Sequence, residues 1–475
     1  MGCGRKPGRP FWGCYRHKGS NMLKTVNPAT GQEIAQYAEL SSAQIEEKLA
    51  LAMKTFTRWR HEKVEARTAL LERIANAFEQ NKDRLARLAT MEMGKTYASA
   101  MGEVEKCVAC FRYYAKAGPA MLHGESSGLS NGGRAEIRFL PLGPVLAIMP
   151  WNFPFWQVVR FMAPAILAGN VGLLKHASLV QGTAAMIEEM ALAAGAPPGL
   201  FQNLAIGSKA VAGIIADPRV AAVTLTGSEG AGAAVAEQAG RHLKKLVLEL
   251  GGSDPFIVMP SADFDKAVKQ AVTARVMNTG QSCICGKRMI VHADIYDRFR
   301  DAFIAAMRAV KAGDPMDKET EMGPLSSAAQ RDTVMQQLAD AKNQGAVLHG
   351  GEALPGPGAF MNAGVLTDLP PGSAFLQEEV FGPVAMLFRA RDIGEAIRIA
   401  NHIPYGLGSS VWTQDKAEQA RFIEEIEAGM TAINQVLAST PEAPFGGIKR
   451  SGYGRELSHY GMHEFMNLKT VLHSA

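Results

Sequence analysis

The stretch PVLAIMPWNFPFWQVVRFMAPAILAGNVGLLKHAS, Pro144 to Ser178, decides the fold. VLAIM is an unbroken apolar run, the pattern of a strand buried on both faces. Two prolines, Pro150 and Pro154, then interrupt it. PFWQVVRFMAPAILAG reads as a buried helix closed by a glycine, and NVGLLKHA reads as a second buried strand. A strand, a helix and a strand at this spacing form a unit whose two strands run parallel. The alternation continues through the helix GTAAMIEEMALAAG, the strand AAVTLTG, the helix SEGAGAAVAEQAG and the strands KKLVLELGG and DPFIVM. The pattern predicts an α/β fold with a doubly wound parallel sheet. Such sheets bind ligands outside the carboxyl ends of their strands.

Two features fall at that edge. Gly227-Ser228-Glu229-Gly230-Ala231-Gly232 follows AVTLT and opens a helix. Glycines there admit a phosphate to the backbone, and the helix start offers free N–H groups. An ordinary N-cap with a tight turn explains the same residues equally well, and the dinucleotide fingerprint G-x-G-x-x-G is absent. Lys175 ends the neighbouring strand and reads either as a phosphate or ribose partner or as a solvated lysine.

Outside this block a second α/β pattern begins after about Gly251, with helices such as FDKAVKQAVTARVM and DRFRDAFIAAMRAV. A chain of 475 residues is expected to divide into two or three domains. Asp83 to Ala117 reads as helical and contains Cys107 and Cys110. A zinc or redox pair is one reading of them. Core packing fits better, because they sit at helical spacing among Val and Phe and no second pair matches them. AEIRFLPLG, from Ala135, alternates like an exposed or edge strand able to reach a partner subunit. The chain carries 50 Lys and Arg against 46 Asp and Glu, a net charge of +4. Arg5, Lys6, Arg9, Arg16 and Lys18 account for +5 of this, leaving the rest of the chain near −1. Neither nucleic acid nor an anionic membrane is therefore expected as a partner. Residues 1–21, rich in Gly and basic side chains, are expected to be a disordered extension. Six irregularly spaced cysteines do not make a secreted framework, so a cytoplasmic setting is expected.

NTGQSCICGKR, Asn278 to Arg288, places Cys283 two residues from Cys285. A metal clamp, a disulfide, a nucleophile with a neighbour and two core residues are all open from spacing alone. Metal is disfavoured, since two cysteines without a nearby histidine fall short of four ligands.

Seven motifs in order now point to a family: MPWNFP at 149–154, LLKHAS at 173–178, TGSEGAG at 226–232, LELGG at 248–252, NTGQSC at 278–283, EEVFGP at 378–383 and PFGGIKRSGYGRE at 444–456. From Met22 onward the chain resembles the aldehyde dehydrogenase superfamily, and within it the succinate-semialdehyde dehydrogenase branch. The resemblance implies a nicotinamide-binding domain over 22–122 and 142–250 and a catalytic domain over 251–445. It also implies a small β oligomerisation region over 123–141 and 458–475, in a homodimer or homotetramer. NAD or NADP is the implied cofactor and a small aldehyde the partner, with no resident metal.

By the same resemblance Cys283 is the nucleophile, Glu249 the general base and Asn152 the oxyanion ligand. Met149, Pro150, Trp151, Lys175, Ser178, Gly227, Ser228, Gly232, Glu379 and Phe381 fall at the cofactor. The chemistry is coherent. A thiolate attacks well and later leaves well. An Asn amide with the Cys283 backbone N–H supplies two fixed donors for the oxyanion. A carboxylate activates water for release of the thioester. The presence of Glu249 separates this chain from relatives that pass the acyl group to coenzyme A.

Arg160 lies eight residues after Asn152, a spacing that suggests a similar side of one helix. A guanidinium there suits the far carboxylate of an acidic semialdehyde, and the hydroxyls of Ser439 and Thr440 are expected to assist. The branch often carries a second arginine six residues before the nucleophile; this chain has Met277, with Arg275 the nearest. Ser178 stands where strictly NAD-linked relatives carry Glu, so NADP should be tolerated. Cys285 is the candidate partner of Cys283 in a redox switch, with core packing as the alternative. Another small aldehyde, or a cysteine-dependent thioesterase without redox activity, are the competing functions.

Overall fold

A computed structural model describes residues 21–475. The expectation for residues 1–21 therefore lies, apart from Asn21, outside the described residues.

The stretch from Pro144 forms the centre of a six-stranded sheet. In spatial order its strands are Gly452–Tyr453, Lys245–Glu249, Ala222–Thr226, Pro144–Met149, Val171–His176 and Phe201–Asn203. The last five are parallel. Numbered along the chain, those five run 3-2-1-4-5 when read from Phe201–Asn203. The order thus reverses between Pro144–Met149 and Ala222–Thr226, and the loops leaving these two strands diverge around a crevice.

Helix Trp156–Ala168 crosses this sheet with all 13 residues buried. Its start has no local side-chain cap. Instead the Glu103 carboxylate, from helix Tyr97–Met121, accepts from the backbone N–H groups of Phe155 (2.8 Å) and Trp156 (2.9 Å). Its end is Gly169 at φ 95°, where a Cβ would meet the Arg67 guanidinium at 2.9 Å. Asn152 precedes the helix, in the loop after the strand, so the eight residues to Arg160 are not helical turns. The spacing argument for a shared side does not hold.

The second half builds a seven-stranded sheet. Its order is Val347–Gly350, Gly364–Thr367, Val384–Ala390, Gly286–His292, Asp254–Val258, Gly408–Trp412 and Met430–Ile433. Only the first of these pairs antiparallel. The two consecutive strands read as KKLVLELGG and DPFIVM thus belong to different sheets. Residue Ile284 packs in the first core, while Gly286 starts a strand of the second sheet, so the cysteine loop bridges the two.

Arg134–Pro141 is the middle strand of a three-stranded sheet, flanked by Met466–His473 and Glu125–Gly128. This corrects the edge-strand alternative. Its alternation reflects a sheet with a wet face, which a middle strand shares with its neighbours. Cys107 and Cys110 are both fully buried in the first core, as packing requires. Among the described residues no group of three or more His, Cys, Asp or Glu is arranged to hold a metal, and no helix is long and apolar enough to cross a membrane.

Candidate active site

The loop Pro150–Phe155 leaves the strand at the switch point and is tied down by a histidine. His176, wholly buried at the end of the adjacent strand, places Nε2 2.9 Å from the Pro154 carbonyl oxygen. Its Nδ1 accepts from the Ala177 N–H at 3.0 Å. The same Nδ1 lies 3.1 Å from the Met149 carbonyl oxygen, so both ring nitrogens face backbone, and burial brings the pKa of the ring down to about 4. The loop therefore presents Asn152 in one place. The Asn152 amide donates to the Gln281 carbonyl at 3.0 Å, with its second N–H left over. In return the Asn278 amide donates to the Asn152 carbonyl at 2.7 Å.

The segment leading to Cys283 is a turn, Met277–Gly280, with Asn278 (φ 54°) and Thr279 (φ 57°) in the left-handed region. Non-glycine residues adopt it at a cost and are held there by surrounding contacts. Asn278 is held by Asn152 and Gln281, and Thr279 by the Gly323 carbonyl at 3.2 Å. Past the turn, the wholly buried Lys287 donates to the carbonyls of Ser282 and Cys283, each at 2.8 Å, and lies 3.1 Å from the Glu379 carboxylate. Lys287 thus aims the backbone on both sides of Cys283. The Cys283 thiol is raised to about 12 by burial, against which the positive charges of Arg160 and Lys287 pull down.

Cys283 opens on a cavity of about 270 Å³. Pro150, Trp151, Asn152, Gly227, Ser228, Glu379 and Phe381 line it as well, so eight of the expected residues meet in one place. The rings of Trp151 and Phe381 meet edge to face, 5.7 Å apart. Ser228 caps the 13-residue helix Glu229–Arg241 and accepts from the Ala231 N–H. At Gly251 a Cβ would lie 2.2 Å from the Glu379 carboxylate, so glycine is what lets Glu379 reach the cavity. The cavity thus offers aromatic walls, a helix start and a carboxylate, the parts a nicotinamide dinucleotide requires.

The remaining expected residues lie outside the lining of this cavity. Lys175 is the penultimate residue of strand Val171–His176, half-buried, and among the described residues its hydrogen bond is to the His176 carbonyl at 2.9 Å. Ser178 begins the short turn after it. Met149 is the last, buried residue of its strand. Gly232 faces Leu250, where a Cβ would come within 2.6 Å of a methyl, so its glycine serves helix packing. Ser439 is buried and Thr440 exposed.

Glu249 is buried with both carboxylate oxygens unpaired. Burial first, and the Glu456 carboxylate second, hold it well above the carboxylate range. Arg160 lies in the same interior. It forms an ion pair with Glu456, donates to Thr226 Oγ1 at 3.0 Å and lies over the Phe445 ring at 4.7 Å. The arginine read as facing a substrate carboxylate is paired internally with a buried carboxylate.

Cys285 is completely buried and points its thiol at the Met277 carbonyl, 3.6 Å away, whereas Cys283 faces the cavity. Both are free thiols. Pairing them requires Cys285 to leave its packed position. Arg275 is wholly buried among the carbonyls of Gly280, Val380 and Gly382, so it is no substitute for the missing second arginine.

Sequence reasoning missed His176, Asn278, Lys287 and Glu456. All four lie within or beside the motifs, in LLKHAS, NTGQSC, CGKR and GYGRE, but polar residues that act through buried backbone leave no periodic signature.

The profile of the aldehyde dehydrogenase family matches residues 15–471. Succinate-semialdehyde dehydrogenase [NADP(+)] of Mycobacterium avium (strain 104) is 52% identical over 453 residues, covering 94% of this chain and 96% of that protein. Succinate-semialdehyde dehydrogenase [NADP(+)] 1 of Mycobacterium tuberculosis (strain H37Rv) is 50% identical over 452 residues, covering 94% and 99%. The crystal structure of succinic semialdehyde dehydrogenase from Streptococcus pyogenes, in complex with NADP+, superposes with a TM-score of 0.93 at 38% identity, covering 94% of this chain and 99% of that one. With fold, cavity and sequence in agreement, the chain belongs to the aldehyde dehydrogenase family.

Proposed function

We propose that this protein oxidises succinate semialdehyde to succinate with NADP or NAD. The observation that carries the reading is the meeting of Cys283 and Asn152 in one cavity at the switch point of a parallel sheet. The names of relatives about half identical to it support the substrate and cofactor. Family membership leaves the thioesterase alternative without support.

In this reading the Cys283 thiolate attacks the aldehyde carbon. The free N–H of Asn152 and the backbone N–H of Cys283 receive the oxyanion. When bound, the nicotinamide accepts the hydride. Glu249 then takes a proton from the water that releases the acid. Gly227 and Ser228 hold the pyrophosphate end, and Lys175 and Glu379 the riboses. Trp151 and Phe381 wall the nicotinamide, and the neutral Ser178 leaves room for a 2′-phosphate. The division of labour follows the sheets: residues 22–122 and 142–250 bind the dinucleotide, 251–445 carry the nucleophile, and 123–141 with 458–475 associate copies in a cytoplasmic homo-oligomer. The test is absorbance at about 340 nm with NADP or NAD and either succinate semialdehyde or butanal. A clear preference for the acidic aldehyde is expected, and equal rates with both contradict the substrate.

A further inference from the structure

The acidic substrate in this reading has a carboxylate at its far end, and the cations around it are fewer than the branch pattern calls for. Arg160 already has a carboxylate, Glu456. The second arginine is absent, and Arg275 faces backbone carbonyls. A different cation lies close by. Lys106, half-buried on helix Tyr97–Met121, forms no ion pair among the described residues; its one hydrogen bond there is to Ser439 Oγ, at 2.9 Å. Its ammonium also lies 4.1 Å from the centre of the Trp156 ring. Trp156 Nε1 donates to the same Ser439 oxygen at 2.9 Å.

That geometry leaves donors without acceptors. The Ser439 oxygen accepts twice, so its own O–H must be given away, and no described residue takes it. Lys106 has two further N–H groups with no acceptor among the described residues. Donors gathered around a partly dehydrated cation suit an anion. Burial and the charge of Arg160 bring Lys106 down to about 8, a shift that a bound carboxylate reverses. Arg160 acts on the Cys283 thiol as well, so the cation and the nucleophile lie in one electrostatic neighbourhood.

We propose that Lys106, with the Ser439 hydroxyl, binds the far carboxylate of an acidic aldehyde and takes the place of the second arginine. This rests on the substrate reading above.

The test is kcat/KM for succinate semialdehyde and for butanal in the wild type, Lys106→Met, Lys106→Gln and Lys106→Arg, each verified as folded by its thermal unfolding. The ratio of the two substrates should fall roughly 30-fold or more in Lys106→Met and Lys106→Gln. The fall should lie in KM for the acidic aldehyde, and Lys106→Arg should recover most of it. Lys106→Gln keeps a polar contact for Ser439, so it carries the test should Lys106→Met not fold. A ratio equal to wild type in both neutral variants, or equal losses for both substrates, overturns the role of Lys106 alone. A wild type with no preference for the acidic aldehyde overturns the substrate reading and this inference with it.

Discussion

At Glu249 a single buried carboxylate is asked to act as a base while burial and a second carboxylate hold it protonated. Two carboxylates beside one guanidinium cannot both ionise cheaply. Arg160 contacts Glu456, so the guanidinium offsets burial more directly there, and Glu249 is left well above its ordinary range. Raised above its ordinary range, Glu249 gains its basic form at higher pH than a free carboxylate, so turnover limited by hydrolysis should climb as pH rises. Glu249→Gln should give a burst of one reduced nicotinamide per site and then stall. A linear trace at the wild-type rate removes Glu249 from the mechanism. Ser178 makes an independent case. Ser178→Glu places a negative charge where a 2′-phosphate is expected and should lower kcat/KM with NADP relative to NAD roughly 100-fold; an unchanged ratio means the phosphate lies elsewhere. That Cys283 and Asn152 share one cavity was legible, because each stands in a contiguous motif. Lys287 and Asn278 were not, since they act by holding carbonyls, which many residue types do in other folds.

The element that most controls the site is the loop from Pro150 to Phe155, and His176 is its fastener. A histidine with a lowered pKa adds stability above its unfolded value near 6.5, and that stability is lost as pH falls through about 4. Over this window it amounts to about 3 kcal/mol. Thermal unfolding of the wild type should weaken across that range, and His176→Phe should flatten this part of the profile while lowering kcat. An unaltered profile in the variant contradicts the fastening role. At this scale the sequence was informative where strands were buried on both faces, because unbroken apolar runs such as VLAIM have no other economical reading. It was silent on Gly452–Tyr453, a two-residue strand too short for any period, which closes the sheet beside Glu249. It misassigned Arg134–Pro141, because alternation reports a wet face and not a position in the sheet.

The described residues are built around two largely parallel sheets with Cys283 on a loop between them, and in the proposed mechanism the chemistry depends on that loop staying packed against the first core. The three-stranded sheet stands apart from this task. Its edge strand Met466–His473 exposes Leu468 (61%) and Leu472 (68%), apolar side chains with no cover from their own chain. Light scattering should report a homo-oligomer, and Leu468→Lys with Leu472→Lys should reduce its mass; a wild type that is monomeric, or a double variant of undiminished mass, contradicts the assignment of this sheet. The central claim, that Cys283 carries out nicotinamide-linked oxidation of an aldehyde in this cavity, is tested most directly by absorbance at about 340 nm. NADP and succinate semialdehyde are mixed with the wild type and, in parallel, with Cys283→Ala. The wild type should reduce the nicotinamide steadily, and the variant should still bind NADP while losing about 10⁴-fold or more of the rate. Steady reduction by Cys283→Ala at a substantial fraction of the wild-type rate contradicts the claim.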